Sequence, residues 1–575
     1  MDQFESMETN TTTDETSNSL PKTTEIAVTR KKKFLRAKII IIVSVLILLV
    51  VGIPVSIVLT KKSDTEAAKM VTNKVTTTGS YIITKTSTET RTTRRATAAR
   101  TTTTTTTTTT MPDTTTIVYD ITTKPVIPCD TSCVNTTTST ANSLLALYLF
   151  DSNAMDYTGN YNGTPVGNPS YVPGYVGYAL KLNSLAGQYV TLPSTFTFYN
   201  RSSTVELWIN LQSPLYLTST PSEVNIISQC ASVYSKDHCL FYSIREQKLY
   251  QAFGWDDKGG TTDMSTFLGQ WVHLAFTYDS RTRLRQIYLN GIPEPTGAIP
   301  GLTHALEGGP YMGIGAQAFI GWNEHLDPLT SYLNAYVDHF SISNRAKSAS
   351  EIMNDATLVT YFSFDSGSLV DNGPNMLCGT AVGQTTISSV RNQALSFTGK
   401  AATSYFQVAG LTALGTTNAS FSFGLYIKPT VLYGIIVHVS MDPSGTNGWC
   451  MPFIGFTSSE YLAVQVWDGS TMRYVLGPIL TVDTWTHVVQ TFSITNGLKL
   501  YINGTLYSSA SNVTAYSASG VSNYLTIAST LTASISSNCL PNGVLDLDSY
   551  NGGVDELRVY NKELTSEDVY TLSQS

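Results

Sequence analysis

From about residue 143 onward one pattern is written twice, and whatever the chain folds into must satisfy it in both places. LALYLFD (145–151) returns as TYFSFD (360–365), and YALKL (178–182) as QALSF (393–397). TVELWIN (204–210) returns as SFGLYIK (422–428), and WVHLAFTYD (271–279) as WTHVVQTFS (485–493). IYLNG (287–291) returns as LYING (500–504), and YVDHFSISN (336–344) as GVDELRVYN (553–561). Gly163-Thr164 with Gly379-Thr380 and Trp255-Asp256 with Trp467-Asp468 keep the order, at an offset between 212 and 218 residues throughout. Matching order at near-constant spacing marks an internal duplication, with domain 1 at 143–356 and domain 2 at 357–575.

Each copy reads as β, because its segments are short, alternate apolar with polar, and are separated by Gly, Asn, Asp and Ser. Asn290-Gly291 and Asn503-Gly504 are hairpin signals, since Asn-Gly supplies the positive φ that a tight primed turn needs. Only SASEIM (348–353) and TSEDVYTL (565–572) look helical, each with a Ser or Thr cap followed by an acid in the first turn. The expected fold class is all-β: two tandem antiparallel jelly-roll β-sandwiches.

Ahead of the duplication stands Ile39–Leu59, 21 residues without a charge. At ~1.5 Å per residue this run crosses a hydrocarbon core of ~30 Å. Arg30, Lys31, Lys32, Lys33, Arg36 and Lys38 precede it, and a mixed-charge segment follows. Positive charge stays on the cytoplasmic side, so the expectation is a single-pass type II signal anchor with residues 1–38 as a disordered cytoplasmic tail. Residues 60–142, with ten consecutive threonines at Thr101–Thr110, read as a mucin-like stalk; an unmodified flexible tether is the alternative. Sequons outside the membrane begin at Asn135, Asn162, Asn200, Asn418, Asn503 and Asn512. With charged residues at 13% and a net charge of −7, nothing suggests nucleic acid as a partner. Plasma membrane is the expected location, with Golgi left open.

The order TVELWIN, W-x-H-x-x-x-T, Y-[LI]-N-G and V-D-[EH]-[LF]-x-[IV] resembles the laminin-G-like domain of the concanavalin A-like lectin/glucanase superfamily, over both copies. The resemblance implies a two-sheet jelly roll, often a module that binds glycans or proteins, and often a bound calcium. In the first copy His339 stands where the family usually has Glu, and Lys347 where it usually has Leu. Acids recur at Asp151 and Asp365, Asp156 and Asp371, and Asp338 and Asp555. In related jelly rolls the first and last strands lie close, so Asp156 with Asp338 and Asp371 with Asp555 lead as calcium candidates; turn-forming Asp residues are the plainer alternative.

Trp322 and Trp449 lie in Gly- and Asn-rich segments and do not repeat, so they are the ligand-stacking candidates. Trp255 and Trp467 repeat and read as structural, and Trp271, Trp485, His273 and His487 as strand and core residues. Cys230 and Cys239, nine apart, suit a hairpin disulfide, and Cys450 has its best partner in Cys539. Cys378 is left over. Cys129 and Cys133 either close a small loop or pair with a second chain as a disulfide-linked homodimer. No E-x-D-x-x-E strand of the kind jelly-roll hydrolases use is present. The expectation is non-catalytic binding of extracellular glycans or glycoproteins in adhesion or recognition. The alternatives are a glycoside hydrolase with an unrecognised site and a structural coat protein.

Overall fold

The computed structural model describes residues 143–574 except 200, 213–222, 233–234, 254–255, 296–298, 301–310, 317–331, 532–538 and 542. Described strands form four antiparallel sheets, nine- and seven-stranded in the first copy and eight- and seven-stranded in the second. The first copy contributes β1 (Leu144–Tyr148), β2 (Tyr178–Leu182), β3 (Ser203–Leu211), β4 (Trp271–Asp279), β5 (Leu284–Leu289) and β6 (Ala335–Ser343) to one sheet. Its central path runs β5-β4-β3-β6-β2, with β1 also on β6. Helix α1 (Ala349–Thr357) leads into β7 (Leu358–Phe362), β8 (Gln393–Thr398), β9 (Phe421–Pro429), β10 (Thr486–Ser493), β11 (Gly497–Ile502) and β12 (Asn551–Tyr560). These repeat the path as β11-β10-β9-β12-β8, with β7 on β12, and α2 (Ser566–Gln574) follows. The duplication is therefore one of topology, not only of motif.

Alternation sets the faces. Val205, Leu207, Ile209 and Leu211 of β3 enter the first core, and Phe421, Phe423, Leu425 and Ile427 of β9 the second. The outward faces are partly roofed by the helices. Ile352 of α1 packs on Ala275 and Tyr288, and Val569 of α2 joins a cluster with Val489 and Tyr501. Ser348 and Glu351 close a capping box at α1, and Thr565 and Asp568 exchange equivalent bonds ahead of α2. At the predicted hairpins Asn290 and Gly291 have φ of 50° and 79°, and Asn503 and Gly504 49° and 82°. A β-bulge recurs in the closing strands, where His339 (φ 46°) and Glu556 (φ 53°) take the left-handed conformation.

Two departures from the family pattern are explained by their neighbours. Lys347 donates to Asp355 at 2.9 Å and to buried Glu206. Burial pushes the Glu206 carboxyl up to about 7, against the pull of Lys347. At the matching positions the second copy has Gly424 and buried Leu564, so a buried ion pair in one copy is an apolar contact in the other. His339 uses its ring to join the copies: Nδ1 faces Asp338 Oδ1 at 2.8 Å and Nε2 faces the Asn375 carbonyl of the second sandwich at 3.0 Å. Two acceptors on one ring call for the imidazolium, which is a donor at both nitrogens. Burial opposes that charge, but the Asp338 carboxylate outweighs it and holds the group up at about 9.

The rest of the junction is apolar. Tyr175 stacks on Trp208 with centroids 3.5 Å apart and planes 12° apart. Tyr175, Val176 and Trp208 share a buried cluster with Leu377, Leu411 and Leu414 of the second copy. Asn561 donates to the Tyr175 hydroxyl at 2.9 Å, and Thr412 to the Gly174 carbonyl at 3.2 Å.

Replacing Lys347 by Met strands Glu206 in the sheet and is expected to cost about 3–5 kcal/mol in denaturant unfolding, whereas Glu206→Ala with Lys347→Leu recovers most of it. The His339 charge stabilises the fold because its folded pKa, about 9, lies above the ordinary imidazole value. That contribution, of the order of 3 kcal/mol, is complete below pH ~6.5 and lost as pH rises through the folded value. Urea midpoints measured from pH 6 to 10 should fall across that window in the parent and lose the dependence in His339→Gln.

Candidate functional site

Asp156 and Asp371 are clamps for their own loops, and the other repeated acids tie segments distant in sequence. Asp156 accepts backbone N–H bonds from Leu147, Thr158, Asn160 and Tyr161 at 2.9–3.0 Å, and the Thr158 hydroxyl at 2.6 Å. Asp371 does the same for Tyr361, Gly373 and Leu377 at 2.8–3.0 Å. Asp151 and Asp365 accept from the Tyr178 and Gln393 amides, one in each copy. Asp338 accepts from the Val176 amide at 3.0 Å and faces His339, while Asp555 accepts from Ser389 and from the Glu556 amide. Burial raises Asp371 to about 6 and Asp555 to about 7.

A calcium ion wants six to eight oxygen ligands, with their lone pairs available. Asp156 and Asp371 spend theirs on N–H donors, and the hydrogen-bond partners of Asp156 and Asp338 do not overlap. A buried imidazolium also sits against Asp338, and the described residues contain no group of three or more His, Cys, Asp or Glu placed to hold a metal. As pairs, Asp156 with Asp338 and Asp371 with Asp555 do not fit the ion.

Trp449 donates its indole N–H to the Ser517 carbonyl at 3.0 Å and packs edge-on to Tyr516, so its ring is half-buried against the second core. Trp322 lies outside the described residues, as do Trp255, Asn135, Asn200, Cys129, Cys133, the predicted anchor and the stalk. Cys230 bonds Cys239, and Cys450 bonds Cys539. Asn162, Asn418, Asn503 and Asn512 are all exposed.

An open cavity of about 510 Å³ lies on the outer face of the second sandwich, lined by Val390, Arg391, Tyr426, His487, Asn503, Ser573 and Gln574. Each strand residue here is placed by alternation. Tyr426 points outward because Leu425 and Ile427 point in, and His487 is its cross-strand partner. The Tyr426 and His487 rings lie 4.7 Å apart, and the Arg391 guanidinium sits 5.5 Å from the centre of the Tyr426 ring. Arg391 also approaches Glu556 at 3.6 Å and donates to the Leu572 carbonyl, while the Tyr426 hydroxyl donates to the Ser573 carbonyl. Asn503 Oδ1 accepts the His487 amide at 2.9 Å. Burial, with Arg558 and Arg391 adding repulsion, lowers His487 to about 4, so its ring is neutral at pH 7. Its buried Nδ1 meets no hydrogen-bond partner among the described residues.

The first copy carries the same position in another state. His273 takes the place of His487 and is fixed by Asn290 in the same way, at 2.9 Å. Tyr175 stands for Val390, Val176 for Arg391 and Trp208 for Tyr426, and the stacked Tyr175 and Trp208 rings fill the space that the second sandwich then covers. Sequence reading did not single out Arg391 or Tyr426. The signal was in the repeat: Tyr175, Val176 and Trp208 in one copy become Val390, Arg391 and Tyr426 in the other.

A family model described as concanavalin A-like lectin/glucanases superfamily, of the laminin G type, matches residues 184–353 and 399–570. No curated protein matches by sequence. Among solved structures, domain 4 of AbnA, an extracellular arabinanase from Geobacillus stearothermophilus in complex with arabinotriose, is 22% identical, with 37% of this chain and 97% of that one covered and a TM-score of 0.29. The mouse laminin alpha1 LG4-5 pair is 14% identical, with 68% and 93% covered and a TM-score of 0.24. The binding domain of Paraclostridial Mosquitocidal Protein 1 is 11% identical, with 70% and 99% covered and a TM-score of 0.31.

If the repeated acids are loop clamps, chelation leaves the thermal midpoint of the chain unchanged. Asp156→Asn, which puts an amide where the N–H donors converge, lowers stability by about 1–3 kcal/mol with or without calcium. A calcium-dependent midpoint abolished by Asp156→Asn would show instead that the ion is bound there.

Proposed function

Because the chain belongs to the concanavalin A-like lectin/glucanases superfamily, we propose that its paired sandwiches are a non-catalytic binding head for extracellular glycans or glycoproteins. The observation that carries this reading is the chemistry of the open cavity. Its lining offers a guanidinium, two amides, an imidazole, a hydroxyl and a tyrosine ring. Those groups bond sugar hydroxyls and amides. Glycoside hydrolysis instead asks for two carboxylates flanking the bond, ~5–10 Å apart. In this head the repeated acids are occupied with loop amides, and Glu206 with Lys347.

In this reading Ile39–Leu59 anchors the chain with the head outside, and the Thr-rich segment holds it away from the membrane. The fused junction makes the head one body in which, among the described residues, the cavity is filled in the first copy and open in the second, so avidity would come from several chains on a surface rather than from two equal sites in one chain.

A glycan array probed with the full-length chain, with calcium and with chelator, tests the proposal. The expected result is retention of a restricted set of glycans without turnover, indifferent to chelator, and weakened at least tenfold by Tyr426→Ala. Release of cleaved sugar would support the hydrolase reading, and no retention in either condition a structural coat.

A further inference from the structure

Asn503 lines the cavity and begins a sequon, Asn503-Gly504-Thr505. Its side chain is already oriented. Oδ1 accepts the His487 amide, which leaves Nδ2, the atom that carries an N-linked glycan, as the exposed end of the amide. The matching hairpin of the first copy reads Asn290-Gly291-Ile292, with the same turn and the same Oδ1 bond but no sequon. That is also the copy whose counterpart cavity is filled by Tyr175 and Trp208. The sequon therefore occurs in the copy where a sugar would have somewhere to go.

From this juxtaposition we infer that Asn503 is N-glycosylated and that the first N-acetylglucosamine of its glycan folds back into the cavity, making the chain's own glycan the resident occupant of the site. The inference rests on the extracellular reading above, since modification needs passage through a glycosylating compartment. In the transfer, Nδ2 of Asn503 bonds to the anomeric carbon of an oligosaccharide carried on a polyprenyl pyrophosphate. The bond from that carbon to the pyrophosphate oxygen breaks, the pyrophosphate leaves with the electron pair, and Nδ2 gives up one proton.

The cavity suits such an occupant. Its volume, about 510 Å³, lies in the ~300–1,000 Å³ range of small-molecule sites. Ser573 and Gln574, at the end of α2, line it with a hydroxyl and an amide that can meet a sugar hydroxyl or acetamide. Val390, 52% exposed at the rim, offers an apolar contact for the acetamide methyl. A seated sugar would bridge the hairpin at Asn503 to the end of α2, which lie so close that a Cβ on Gly504 would meet Ser573. Outside ligands would then compete with a tethered sugar, and the site would open on chains that escape modification.

The test is glycopeptide mass spectrometry with hydrogen exchange on the full-length chain from a glycosylating eukaryotic host. Occupancy at Asn503 is expected alongside Asn162, Asn418 and Asn512. Thr505→Ala removes the sequon and leaves Asn503 in place; it should cost protection in peptides covering 385–392 and 568–574. Asn512→Gln should not, and enzymatic trimming of the glycan to its first sugar should preserve the protection. Asn503 unmodified while the other three carry glycan overturns the inference and leaves the extracellular reading standing, as does occupancy at Asn503 with no change in exchange on Thr505→Ala. Modification at none of the four overturns both.

Discussion

The stack of Tyr175 on Trp208 is the contact on which the arrangement of the two copies turns. Aromatic pairs of this kind add about 0.5–1.5 kcal/mol to the area they bury. Here the pair also closes an outward face that the fold would otherwise leave open. Around it Val176, Leu377, Leu411 and Leu414 make one continuous core, with the Asn561–Tyr175 bond and the His339 bridge at its edge. The matching positions in the second copy are Val390 and Tyr426, with Arg391 beside the ring, and there the face remains a cavity. Duplication made two equal faces; substitution at two positions turned one into a joint and left the other as a site.

Polar groups follow the same division of labour. His339 takes the place of an acid at the bulge and turns a position that in the second copy holds Glu556, paired to Arg558 and Arg391, into a charged link between sandwiches. Lys347 and Glu206 replace Leu564 and Gly424 on the face that α1 covers. Each departure makes sense only with its partner, as expected where a buried charge needs a counter-charge.

Much of this was legible in the chain itself. The period-two alternation of β3 and β9, the Asn-Gly turns, the helix caps and the Cys230–Cys239 bridge follow from local rules that tertiary context did not override, whereas Cys450 with Cys539, 89 residues on, came from comparing the copies. The Asp residues were read for their repeat and their chemistry, but repetition cannot tell a metal ligand from a loop clamp. Convergence of backbone N–H groups on Asp156 is a three-dimensional fact with no sequence mark. The cavity escaped for a related reason. Val390, Arg391 and Tyr426 are ordinary residues in isolation, and their meaning lies in the contrast with Tyr175, Val176 and Trp208 and in what covers one set and not the other.

The two sandwiches form one cooperative body through the first copy's face. Differential scanning calorimetry of the full-length chain beside Tyr175→Asp tests it most directly. One transition is expected for the parent, with calorimetric and van't Hoff enthalpies in agreement, and two separated transitions for Tyr175→Asp. Two independent transitions in the parent, unmoved by the substitution, would contradict it and make the pair two sites on a string.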